Sequence, residues 1–251
     1  MRILGRPSRK AEHSALTDLG RRRDKNEDAF DVIVAPSGGG WGFELALVVC
    51  DGVGGHPQGE VASRLAASAV RAGLAKRDDR PMRARLIAAS EAANAAVIDF
   101  AAREAGGAAL ATTLAMLVLG GDTVTIGHVG DSRVYRYRAG RLEVLTRDHS
   151  FVAEQVHAGL ISPEAARTHP LRSRLSRAIG VGPATPDLSE SPATSGDLYL
   201  VCSDGLHAFV DESDVAKALV GDLSEIARRL VDLANAAGGV DNVTVALARV
   251  P

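Results

Sequence analysis

The stretch "TTLAMLVLGGDTVTIGHVGDSRVYRYR", Thr112 to Arg138, decides the fold. Its runs Thr112–Leu119, Thr123–Val129 and Val134–Arg138 carry β-branched or alternating apolar patterns. They are joined by Gly120-Gly121-Asp122 and Gly130-Asp131, and Ala139-Gly140 closes the last one. Turns this short predict an antiparallel meander.

Outward from this centre, Leu45–Cys50, Leu198–Ser203 and Val243–Val250 read as further strands. Helical periodicity marks Glu60–Leu74, with Val61, Leu65, Ala69 and Ala72 on one face. It marks Pro81–Ala105, with Leu86, Ser90, Ala93, Val97 and Ala101 on one face and Gly106-Gly107 as its end. It also marks Leu223–Ala237, with Ile226, Leu230 and Leu233 aligned before Gly238-Gly239. The order is not the strict βαβα alternation of a doubly wound sheet, and it argues for a layered α+β domain with antiparallel sheets. Residues 146–197 are less regular: Ser162-Pro163 starts a helix, and Pro183 and Pro186 break the chain. This stretch reads as a flap inserted in one domain. No 20–50-residue repeat is visible.

Composition narrows the classes. The 251 residues are 46% hydrophobic but 4% aromatic, so the core rests on Ala, Val, Leu and Ile. The charge is −2, with 29 basic against 31 acidic residues, which leaves no nucleic-acid or membrane footprint. The opening "MRILGRPSRK" is basic and lacks the apolar core of a signal peptide. The expectation is a cytoplasmic protein, with a flexible tail at 1–12 and one domain at 13–251. Cys50 and Cys202 sit in apolar runs without CxxC spacing and read as small buried hydrophobes.

Acids recur at the ends of apolar segments. Asp51 ends "LALVVCD", Asp131 follows Gly130, Asp204 follows "LYLVCS", Asp241 precedes "NVTVALARV", and Glu27-Asp28 precede "AFDVIV". Asp-Gly is a favoured hairpin turn, and each case alone fits plain turn chemistry. Jointly, strand ends that converge on one rim would bring like charges together, and these must protonate or find cations. All-oxygen donors of this kind suit Mg²⁺ or Mn²⁺. The seven histidines (His13, His56, His128, His149, His157, His169, His207) have no zinc-ligand spacing. His56 either donates a proton near the site or packs in its loop. The glycines after Asp51 fail the dinucleotide pattern, whose last position is Pro57, and no GxxxxGK[ST] occurs.

Seven motifs in order, "RDKNEDAF", "DGVGGHPQGEVAS", "ALATTLAML", "HVGDSRVYR", "LTRDHSFVAEQVHAGLISPEAA", "VCSDGL" and "DNVTVAL", resemble the bacterial branch of the metal-dependent type 2C Ser/Thr protein phosphatases, over about 13–250. The resemblance implies a β-sandwich of two antiparallel sheets flanked by helices, in α-β-β-α layers. It implies two core Mn²⁺ or Mg²⁺ ions, a third weaker one, and hydrolysis of phosphoserine and phosphothreonine in proteins by in-line attack of a metal-bridging water. Carried over by motif, Asp51 would bridge the core ions, the Gly52 carbonyl would bind the second, and Asp204 and Asp241 would hold the first. Asp131 would join Asp204 at the third. Glu27 and Asp28 would hold the outer shell, and Arg23 would fork the phosphate.

Some relatives carry a histidine as candidate acid where this chain has Val53, which leaves the proton donor open. Arg172, Arg174 and Arg177 of the flap either attract phosphorylated partners or form a solvated face. The expected partners are phosphorylated proteins, substrates of a cognate Ser/Thr kinase, and the expected state is a monomer. The rival reading is a catalytically silent, phosphoprotein-binding regulatory module on the same fold.

Overall fold

The computed structural model describes residues 11–37, 39–53, 58–106 and 108–251. The chain runs through β1 (Glu12–Asp18), β2 (Asp28–Val34), β3 (Leu45–Asp51), α1 (Gly59–Leu74), α2 (Met82–Glu104), β4 (Leu114–Gly120), β5 (Thr123–Val129), β6 (Arg133–Arg138) and β7 (Arg141–Val144). It continues through α3 (Phe151–His157), α4 (Pro163–Arg167), β8 (Asp187–Pro192), β9 (Leu198–Cys202), α5 (Asp204–His207), α6 (Glu212–Ala218), α7 (Leu223–Ala236) and β10 (Val243–Arg249). Of the expected tail, residues 1–10 and any boundary within them lie outside the described residues, while Glu12 already pairs with Arg249. Gly38, Gly107 and the loop 54–57, with His56, also lie outside them.

Two five-stranded sheets form, in the orders β1-β10-β9-β6-β7 and β2-β3-β4-β5-β8. Every pairing is antiparallel. The sheets stack as a sandwich, and alternation along each strand sorts its side chains. Leu45, Leu47 and Val49 of β3 join Leu117, Val201 and Ala246 between the sheets, while Ala46, Val48 and Cys50 pack under α1 and α2. Likewise Val201 of β9 points inward, and Leu200 and Cys202 meet Ile226 and Leu230 of α7. Both faces of the central strands are therefore buried, which is why they read as unbroken apolar runs. Cys50 and Cys202 are free and buried, as expected.

The expected meander needs one correction. Gly120-Gly121-Asp122 does join a hairpin, β4–β5, and Ala139-Gly140 joins β6–β7. Gly130-Asp131 instead carries the chain from one sheet to the other, where β6 pairs with β9. Gly130 makes this possible with φ +107, and a β-carbon there would lie 2.6 Å from the Thr113 side chain.

The buried stripe of α1 is also rotated from expectation: Ala62, Ala66, Val70 and Leu74 face the core, Val61, Leu65 and Ala69 flank it, and Ala72 is exposed. Small alanines allow α1 to lie close against both the sheet and α2. Within the stretch expected as a flap, Ser162 caps α4 through the Ala165 N–H, as its Ser-Pro start predicts. Asp187–Pro192, however, is the edge strand of a sheet, paired to β5.

Candidate active site

The strand ends converge on one rim. Asp28 opens β2, Asp51 closes β3, and the two are direct register partners. Asp204 opens α5 after β9, Asp241 stands two residues before β10, and Asp131 lies in the crossover from β5 to β6. One sheet contributes Asp28 and Asp51, the other Asp204 and Asp241, and Asp131 spans the seam.

Hydrogen bonds fix the rim at Asp51, Gly52 and Asp28. The Asp51 N–H donates to Thr113 Oγ1 at 2.9 Å, and its carbonyl accepts from the Thr113 N–H at 2.8 Å and Thr112 Oγ1 at 2.9 Å. The Gly52 N–H donates to the Glu27 carbonyl at 3.1 Å. A β-carbon on Gly52 would lie 2.4 Å from the Gly59 carbonyl oxygen and 2.7 Å from that of Glu27, so no side chain fits there. Asp28 is buried, and its Oδ2 accepts from Ser203 Oγ and Thr244 Oγ1, each at 2.7 Å, while its Oδ1 has no partner. Asn242 ties the N-terminal segment to this rim: its Oδ1 accepts from the Glu27 N–H at 2.8 Å, and its Nδ2 donates to the Leu19 and Lys25 carbonyls, each at 2.9 Å.

The electrostatics follow from this crowding. Burial pushes Asp28 up to about 7, with the Asp204 and Asp241 charges adding to it, against the two hydroxyl donors. Burial raises Asp51 well above the usual carboxylate range, and Asp28, Asp204, Asp131 and Asp241 add their fields. Asp131 is raised by burial and then by Asp204. Asp204 rises to about 6, through burial and Asp241, while a hydrogen bond with Asp51 opposes the shift. Like charges in a poorly solvated place resist ionising together.

Arg23 is a cation at this rim. Its Nη2 donates to Asp241 Oδ2 at 2.7 Å, and its Nη1 lies 3.7 Å from Glu27 Oε2. The guanidinium pKa is raised: burial works against it, but Asp241 and then Glu27 and Asp204 prevail. Glu27 lies between Arg23 and the start of α1 at Gly59, and shares Arg23 with Asp241. Its pKa is raised by burial, with Arg23 pulling it down and Glu60 up.

The structure thus brings together Asp28, Asp51, Asp131, Asp204 and Asp241, with Arg23 and Glu27 at the edge. Of the flap arginines, Arg172 and Arg174 are exposed, and Arg177 is paired with Asp187 at 2.7 Å. Sequence reasoning missed the supports Thr113, Ser203, Asn242 and Thr244, all buried. The signal for them is faint: small polar residues inside or beside the apolar runs of "ATTLAML", "VCSDGL" and "DNVTVAL".

The donors suit a hard divalent cation. They are carboxylates with hydroxyl and amide supports, and one buried oxygen, Asp28 Oδ1, lacks any partner. Among the described residues, no three Asp, Glu, His or Cys side chains stand at the spacing of a closed ligand set.

Comparison with known proteins gives one answer. Residues 20–238 match the family described as protein phosphatase 2C. The serine/threonine protein phosphatase PstP of Mycobacterium tuberculosis is 38% identical over 243 residues, which is 95% of this chain and 45% of PstP, so the chain spans about half the length of that relative. The protein phosphatase PhpP of Streptococcus pneumoniae is 33% identical over 244 residues, covering 94% of this chain and 96% of PhpP. The crystal structure of the PstP catalytic domain in complex with two manganese ions superposes with a TM-score of 0.82 at 35% identity, over 95% of this chain and 97% of that one.

Proposed function

The chain belongs to the protein phosphatase 2C family, and from that premise we propose that it is a metal-dependent protein serine/threonine phosphatase, with residues 13–251 as one catalytic unit. The observation that carries this reading is the convergence of five aspartates from both sheets on one rim, four of them with raised pKa values. Asp51, the Gly52 carbonyl, Asp131, Asp204 and Asp241 are the proposed ligands, and Glu27 and Asp28 the outer supports. Mn²⁺ or Mg²⁺, as two core ions and a third weaker one, supplies when bound the charge that offsets these acids and the acidification of water that phosphomonoester hydrolysis needs.

The protein's own groups do the rest. Arg23, whose side chain is 37% exposed, presents its fork at the rim and orients the phosphate oxygens. In doing so it gives up part of its hold on Asp241 and Glu27. Asp28, gripped by Ser203 and Thr244 through one oxygen, keeps its other oxygen buried and unpartnered. Val53 has no proton to give, so the leaving hydroxyl takes its proton from another group. The proposed substrates are phosphoproteins of a cognate Ser/Thr kinase, met by a cytoplasmic monomer. Among the described residues, no helix is long and apolar enough to cross a membrane.

The test is hydrolysis of p-nitrophenyl phosphate and a phosphothreonine peptide with Mn²⁺, abolished by EDTA. Asp51→Asn and Asp204→Asn are expected to lower kcat about a thousand-fold or more. Wild-type turnover in either variant would remove the assignment. A folded chain that hydrolyses neither substrate would be the regulatory module.

A further inference from the structure

The turn that carries Asp131 is held by two histidines for which hydrolysis has no evident use. His149 is 3% exposed. Its backbone N–H donates to the Gly130 carbonyl at 2.7 Å, and its Nδ1 accepts the Gly130 N–H at 3.0 Å. One residue therefore satisfies both backbone groups of Gly130. Because Nδ1 accepts, the single proton of the neutral ring sits on Nε2, which faces Asp187 Oδ2 at 3.1 Å. Arg177 Nη2 donates to Asp187 Oδ1 at 2.7 Å and also lies against His149 Nε2; with protons on both nitrogens, the Asp187 carboxylate is the acceptor that serves each of them. At the next residue, His207 of α5 donates from Nε2 to the Asp131 carbonyl at 3.0 Å. A carbonyl can only accept, so His207 must carry its proton there.

We propose that His149 and His207 are positioning residues: by closing the backbone groups of the Gly130-Asp131 turn they hold the Asp131 carboxylate where it can bind its cation, and so set the affinity of that ion. The proposal rests on the reading of Asp131 as a metal ligand. Groups that orient a ligand without touching the ion commonly change metal affinity 10- to 100-fold.

Paired substitutions separate positioning from bulk. The Asn amide oxygen can stand where Nδ1 does, so His149→Asn keeps the acceptor for Gly130, whereas His149→Phe keeps the ring and loses it. The Gln amide nitrogen can stand where Nε2 does, so His207→Gln keeps the donor for Asp131, whereas His207→Phe loses it. In the full chain, titration with Mn²⁺ alone by calorimetry is expected to show the weakest binding event weakened about 10-fold in each Phe variant. The same event should stay within about 3-fold of wild type in the Asn and Gln variants. The Mn²⁺ concentration for half-maximal p-nitrophenyl phosphate hydrolysis should shift in parallel, which a loss of folded protein alone would not cause.

Phe variants that bind Mn²⁺ like their Asn and Gln partners would overturn the proposal. Should a Phe variant not fold, ¹⁵N NMR of wild-type His149 decides: an unprotonated Nδ1 with a protonated Nε2 supports the clamp, and a protonated Nδ1 overturns it. A wild-type chain that binds Mn²⁺ but hydrolyses nothing would remove the phosphatase reading while leaving the calorimetric and NMR results to judge the histidines.

Discussion

Two buried aspartates stand at opposite ends of the sandwich and meet opposite fates. Asp197 precedes β9 and Asp28 lies beside Asp204, which follows β9. Asp197 accepts from Arg138 Nε at 2.6 Å and Nη2 at 2.5 Å, from the Thr194 N–H at 2.8 Å and from the Tyr199 hydroxyl at 3.2 Å. Burial would raise its pKa, but these donors hold it below the usual range. Asp28 has two hydroxyl donors, a free oxygen and further acids around it, and is pushed up to about 7. At one pole the chain supplies its own cation; at the other it gathers acids, with Arg23 at their edge and Arg133 acting on Asp131. The difference marks where the fold is self-sufficient and where it is built for something brought from outside.

The strongest way to break the comparison is at the acid pole. Asp51→Asn should cost about a thousand-fold or more in kcat while raising the melting temperature of the EDTA-treated protein, because a buried like charge is gone. If activity and stability fall together, the acids are structural. Next, Mn²⁺ at 100 times its dissociation constant should stabilise the wild type by about 2.7 kcal/mol, read as a thermal shift reversed by EDTA, with the shift largely lost in Asp51→Asn.

At the self-sufficient pole, Asp197→Ala should leave the buried Tyr199 hydroxyl without its acceptor, at about 1–3 kcal/mol in urea denaturation, with kcat nearly unchanged. An effect of Mn²⁺ on that deficit would erase the distinction between the poles.

The last prediction concerns acidification. His128 is buried, neither ring nitrogen has a hydrogen-bond partner, and burial, with His149 adding to it, lowers its pKa to about 3. The folded state rejects a proton that the unfolded chain takes up below about 6.5. Its stability contribution is therefore intact above that pH and lost as pH falls toward 3, by about 1.4 kcal/mol per pH unit. His128→Leu should flatten this slope in urea denaturation followed from pH 6.5 to 4.5; an unchanged slope would assign the loss to other groups.

How much of this the sequence disclosed depends on how each residue is buried. Central strands such as β3 and β9 were legible because both faces are apolar. The edge strands β1, β7 and β8 carry mixed exposure, and no periodicity separates them from loops. A Gly-Asp pair looks alike whether it closes a hairpin or crosses between sheets, so the pattern alone predicts a meander one strand longer than the fold has. The acids were legible as strand ends, and their family roles came from resemblance. The partners of Asp28 were not legible, because a Ser or Thr in a strand gives no sign of which carboxylate it will meet across 175 or 216 residues of chain. The engagement of Arg23 with Asp241, 218 residues away, was equally hidden.

The crossover at Gly130 has a consequence for the order of events in folding. With Asp28 and Asp51 on one sheet, Asp204 and Asp241 at the ends of the other, and Asp131 between, the cluster does not exist until the two layers have docked. A cation held by acids of both layers would bind only once those layers have docked. If docking follows the rate-limiting step, Mn²⁺ should leave the refolding rate nearly unchanged and slow unfolding by nearly the whole of its stabilisation, behaving as a rivet set after the plates are aligned.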